Sequence, residues 1–136
     1  MIRCQYAILA EYAREGTSGK IDILGAFDRV FAKTCPAQHG HCVLLFLLVA
    51  DTEDALGKQK SMRLTFETPS GKLVMEQQGP ITVMPSGGTW LASARLVFEM
   101  VNLPLPVFGK YLFRLQVDGE EVATHPLSVM HPPQGT

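Results

Sequence analysis

The 136-residue chain has little charge of either sign to spare: twelve Lys and Arg stand against thirteen Asp and Glu, for a formal net charge of -1. No run of like charge occurs, so nothing in it is matched to a phosphate backbone or an anionic lipid surface, and neither nucleic acid nor membrane is expected as a partner. Long apolar runs are also missing. The longest, residues 42–50, is far short of the roughly 20 residues needed to span a bilayer. No leader pattern precedes the first apolar run, since Met1-Ile2-Arg3 passes straight into Cys4-Gln5-Tyr6 with Glu11 and Arg14 close behind. The three cysteines have no paired spacing, which suits a reducing compartment, and a cytoplasmic location is expected. Repeats, linkers and low-complexity segments are absent, and no stretch reads as a long helix.

What is present is alternation. Tyr111, Phe113, Leu115 and Val117 alternate with Leu112, Arg114, Gln116 and Asp118, the period of a strand with one buried face. Asp118-Gly119 then turns the chain. In the return strand Ala123, Leu127 and Val129 share odd parity with the first set, so both can face one core only with a register that a two-residue loop does not give. The expectation is a three-residue loop with Gly119 left-handed as a G1-type bulge, rather than a type I′ turn. Pro126 should lie at a sheet edge or with its nitrogen turned away from any neighbour.

Other stretches follow the same logic. Residues 42–50 (CVLLFLLVA) are apolar without alternation, which places them in the middle of a sheet with neither face in water. Residues 60–67 and 72–78 form a hairpin across Pro69-Ser70-Gly71. Gly79-Pro80 separates a short piece at 81–84, and residues 85–89 form a loop. From Trp90 to Val101 the even positions carry Ala92, Ala94, Leu96, Phe98 and Met100, one core face. Leu103-Pro104-Leu105-Pro106 carries the chain across to the final hairpin. Residues 4–12 suit a strand or a helix almost equally, with a hairpin to residues 20–28 the economical solution. About eight strands joined by turns imply an all-β antiparallel β-sandwich, with immunoglobulin-like, jelly-roll and C2-like orders all open, over residues 1–130 and with a frayed tail at 131–136.

Residues 8–11 (ILAE), 19–28 (GKIDILGAFD), 102–104 (NLP) and 109–120 (GKYLFRLQVDGE) together resemble an uncharacterised bacterial family of small single-domain β-sandwich proteins, a domain of unknown function. The resemblance implies a strand for the first segment and supplies no catalytic or binding residues. The 33–40 connection and the 85–89 loop fall outside it.

Candidate sites are few. Cys35, His39, His41 and Cys42 offer four zinc-type ligands, but their spacing matches no zinc pattern, and His41 and Cys42, adjacent in a strand, should point to opposite faces. Loop histidines beside structural cysteines is the plainer reading. Asp51, Glu53 and Asp54 could hold calcium only with a second acidic loop that is not evident, and a capped turn accounts for them. No Gly-x-Ser-x-Gly context occurs, Ser86-Gly87-Gly88 is no phosphate cradle, and Asp22 and Asp28 lie on the solvent parity of a strand. Trp90 either seals the sandwich or stacks on a ligand. The expectation is a non-catalytic interaction module with a protein partner or self-association, a small ligand being second, with no cofactor and no metal. Its ligand-binding candidates are Trp90, His39 and His41. The alternative is a small metal-dependent enzyme or metal-binding protein using residues 35–42.

Overall fold

The computed structural model describes residues 2–50, 58–85 and 92–133. Ten strands fall in two five-stranded sheets: β1 (Ile2–Glu15), β2 (Ile21–Ala26), β4 (Ala37–Ala50), β7 (Met84–Pro85) and β8 (Ala92–Leu105) in sheet A, and β3 (Arg29–Phe31), β5 (Gln59–Glu67), β6 (Leu73–Thr82), β9 (Gly109–Val117) and β10 (Glu120–Met130) in sheet B. The orders are β2-β1-β4-β8-β7 and β3-β10-β9-β5-β6, antiparallel except where β3 joins β10. Their inner faces meet in one core, which makes this an all-β sandwich. Among the described residues no helix is long and apolar enough to cross a membrane.

The core follows from period-two burial. Cys42, Leu44, Phe46 and Leu48 from β4 and Phe98 and Met100 from β8 meet Leu64 and Phe66 from β5 and Tyr111, Phe113 and Leu115 from β9. Phe66 stacks on Phe113, its cross-strand partner, at 4.3 Å and on Tyr111 at 5.1 Å, while Phe46 meets Phe98 edge-on at 6.0 Å. Such aromatic pairs each add about 0.5–1.5 kcal/mol beyond the burial of their area. Tyr111 is fully buried, yet its hydroxyl donates to the Val107 carbonyl (2.6 Å) and accepts from the Val107 N–H (2.8 Å). This tyrosine corner pins the chain crossing from sheet A to sheet B. β4 runs between β1 and β8 with Val43, Leu45 and Val49 buried on the face away from the core as well, as its unbroken apolar run requires.

Three local expectations are corrected. Asp118 and Gly119 form a two-residue turn with φ of 50° and 83°, the type I′ pattern, and Glu120 opposes Val117 directly. The parity shift occurs instead at a bulge around Val122, after which Ala123 opposes Leu115. The reason is that Asp118 is clamped to β5: its N–H donates to the Ser61 carbonyl and its Oδ1 accepts from the Ser61 N–H, both at 2.8 Å. Gly79-Pro80 lies inside β6, which tolerates a proline because it is the edge of sheet B. β8 likewise continues through Pro104, pairing Leu105 with Ala37. Pro126 sits on the part of β10 that precedes its pairing with β3, as its missing N–H demands. Residues 2–15 are a strand and pair with β2 as a hairpin.

That hairpin does not stay in the sheet. β1 pairs with β4 only as far as Ala10 opposite Val43, and beyond it the β1–β2 ribbon runs on alone. The row through Tyr6 also holds Leu47 and Arg95, and a straight β1 would carry its tip roughly 30 Å past that row. Yet the Arg95 guanidinium donates to the Gly19 carbonyl in the tip at 3.0 Å. The ribbon therefore folds back as an arm over the outer face of sheet A, where Leu45 is 0% exposed. The fold-back is rooted at Gly25, φ 68°, where a Cβ would lie 3.0 Å from the Glu11 side chain. Replacing Tyr111 by Phe should lower unfolding stability by about 1 kcal/mol at an unchanged m-value in urea titration, because it removes the corner's hydrogen bonds without altering core volume.

Candidate functional site

β4 and β8 change faces together near Gly40 and Asn102. The register between them runs without a shift, yet Phe98 and Met100 face the core before this point and Leu103 and Leu105 after it. Asn102, at φ 53°, supplies the left-handed backbone conformation at the reversal. As a result His39, opposite Leu103, points to the core side, and His41, opposite Val101, points outward.

Both histidines grip Glu11, the residue at which β1 leaves the sheet. His39 Nε2 lies 3.0 Å from the Glu11 carboxylate, and its ring packs on Phe27 at 5.1 Å. His41 Nδ1–H donates to the Glu11 carbonyl at 2.8 Å, which fixes the proton on that nitrogen because a carbonyl can only accept. Its Nε2 faces Glu99 at 3.4 Å and its ring lies 5.9 Å from Tyr12. Cys42 is fully buried, where desolvation first and the Glu11 charge second push its thiol up to about 11. Such a thiol is not nucleophilic at neutral pH. Cys35 packs at the rim of the core. The four candidates of residues 35–42 thus divide between the two sides of the sheet, and among the described residues no group of three or more His, Cys, Asp or Glu could hold a metal ion. The two histidines clasp the root of the arm, and the two cysteines pack in or against the core. Trp90, the acidic segment 51–54 and Ser86-Gly87-Gly88 lie outside the described residues.

One residue that sequence reasoning passed over is His125. It opposes Phe113 on the core side of β10 and lines a shallow cleft between the sheets with Ala7, Leu9, Phe27 and Asp28. Its Nδ1 is buried without a hydrogen-bond partner among the described residues. Burial holds its pKa below the ordinary 6.5, against smaller opposing effects of the Pro126 backbone and Asp28. Its odd parity, shared with Leu127 and Val129, was the available signal.

The outer faces of the two sheets differ in chemistry. Sheet B is covered by ion pairs across strands: Arg114 meets Glu67 and Glu121, each at 2.6 Å, and Arg63 meets Glu76 at 3.1 Å. On the side of sheet A, Leu24 is 67%, Val101 65%, Tyr12 51% and Val97 47% exposed. β8 also has an unsatisfied edge. β4 occupies one side of it, β7 pairs only with Ser93 and Ala92 on the other, and among the described residues no strand pairs with the outer side of residues 94–105.

Fold and site together define a two-sheet β-sandwich with an apolar, partly unpaired flank and no assembled reactive centre among the described residues. The chain belongs to a family of unknown function, DUF6941, whose family model matches residues 5–130. No curated protein matches it. Among solved structures it is similar to an immunoglobulin-like protein from Pseudomonas aeruginosa, at 14% identity over 95% of this chain and 96% of that one, with a TM-score of 0.45.

The half-buried His125 sets a pH response. With its folded pKa below the unfolded value, His125 binds fewer protons in the native state, so its neutral form favours folding above about 6.5 and that contribution is lost as pH falls through the folded value. Denaturant titrations between pH 7.5 and 5 should show wild-type stability falling on acidification, and His125→Gln should flatten the slope in that window.

Proposed function

We propose that the protein is a non-catalytic interaction module, acting in the cytoplasm, that takes a protein partner along the β8 flank of sheet A. The observation that supports this reading is the outer edge of β8, open among the described residues from 94 to 105, with Val97 and Val101 exposed beside it. Unpaired backbone N–H and C=O groups along an edge are a template for an added strand, and neighbouring apolar side chains give that strand something to bury. On the edge of sheet B, β6 has Gly79 and Pro80 within its length, which blunt it against pairing, whereas the proline of β8, Pro104, lies near its end.

The polar side chains favour the same conclusion. His39 and His41 are engaged at the arm root and the Cys42 thiol is sealed in the core, so the side chains weighed as catalytic or metal ligands have structural partners. Three free thiols agree with a reducing compartment.

A photo-crosslinking residue placed at Val101, compared in cells with the same residue at exposed Lys72 on the far hairpin, tests the reading. A discrete protein adduct from position 101 and none from 72 is expected. Adducts equal at both positions, or none at 101, would overturn it. Val101→Lys should abolish the association while shifting stability by less than about 0.5 kcal/mol, as surface substitutions generally do.

A further inference from the structure

We infer that the strand received by β8 is β8 of a second copy of this chain, paired antiparallel about a two-fold axis through Val97. This deepens the interaction-module reading and rests on it. Three independent features converge on that axis.

The first is the length of edge on offer. β7 occupies the outer side of β8 at Ala92 and Ser93, and at the other end Asn102, at φ 53°, ends the regular extended backbone. The regular open edge is therefore residues 94–101, whose midpoint falls between Val97 and Phe98. An axis at Val97 pairs residues 94–100 of one copy with 100–94 of the other and stops short of β7 in both.

The second is charge. On the outward face β8 presents Arg95, Val97 and Glu99 in order. An axis through Val97 sets Arg95 opposite Glu99 of the second copy, and Glu99 opposite its Arg95, giving two facing pairs of opposite charge. Moving the axis to Leu96 or Phe98 sets each charge against a valine or a serine. Moving it to Arg95 or Glu99 opposes like charges. Any half-residue shift brings inward side chains against outward ones. On the inner side the same axis continues the apolar row, with Leu96 beside Phe98 of the second copy and Ala94 beside its Met100.

The third is the state of the two charged groups. Among the described residues Arg95 Nε is buried with no hydrogen-bond partner, and the guanidinium donates to the Gly19 carbonyl with no carboxylate beside it. Glu99 is exposed and has His41 at 3.4 Å. A half-buried guanidinium without a counter-charge is costly, and a carboxylate arriving along the edge supplies both the charge and an acceptor.

Sedimentation equilibrium over a wide concentration range, on wild type, Arg95→Glu, Glu99→Arg and the double exchange, decides the matter. Wild type should dimerise reversibly, more weakly at high salt. Each single reversal should weaken the dimer at least about tenfold, because it opposes like charges twice, and the double exchange should return to within about threefold of wild type. A wild type that stays monomeric throughout, or a dimer that ignores the single reversals or is not restored by the double, would overturn the proposal. Because Arg95 also holds the arm, Val97→Lys is a further variant that leaves that contact intact, and it should abolish the dimer with the circular dichroism spectrum unchanged. A monomeric wild type that still gives a heterologous adduct at Val101 sinks the self-pairing and leaves the module reading standing; a monomer with no adduct ends both.

Discussion

Burial of β4 on both its faces is the constraint from which the rest of the architecture follows. From Cys42 to Leu48 its even-numbered side chains fill the sandwich core, and Val43, Leu45 and Val49 are buried on the other side. A strand at the middle of an antiparallel sandwich ordinarily has one solvated face. Here the β1–β2 ribbon folds back over that face as an arm, tied at its tip to Arg95 and at its root to His39 and His41 through Glu11.

That arrangement explains where the unusual residues went. The histidines and cysteines of 35–42 look like a ligand set because they are close in sequence, but the reversal at Gly40 and Asn102 turns one histidine inward and the other outward. The molecule is also chemically two-sided. Charged pairs cover the outer face of sheet B, whereas the β8 flank of sheet A exposes valines next to unpaired backbone. An edge of this kind favours pairing unless something blunts it; β6, at the margin of sheet B, has Gly79 and Pro80 within its length, whereas the proline of β8, Pro104, falls beyond residues 94–101.

Much of the sandwich was legible in the chain because side-chain alternation reports directly on burial. The β5–β6 and β9–β10 hairpins, the core parity of 92–100 and the central place of 42–50 all follow from it. Alternation misleads where a bulge changes its phase. Ile2 and Cys4 pack on the core, but an irregularity after Cys4 shifts the register, so Tyr6, Ile8 and Ala10 face outward while Ala7 and Leu9 face in. The regular apolar series Tyr6, Ile8, Ala10 and Tyr12 therefore marks the face away from the core.

Strand identity, pairing in hairpins and the composition of the core were determined by the sequence alone, since period-two hydrophobicity and turn chemistry act between residues near one another along the chain. The turn type at Asp118, the fold-back of the arm, the separation of His39 from His41 and the open edge of β8 were decided by tertiary structure. Each depends on a partner distant in sequence: Ser61 for the turn, Arg95 and Glu11 for the arm, Asn102 for the reversal, and the short reach of β7 for the edge. No local pattern encodes which distant strand will arrive beside a given residue, and it is that arrival which fixes both the geometry and the surface left over for a partner.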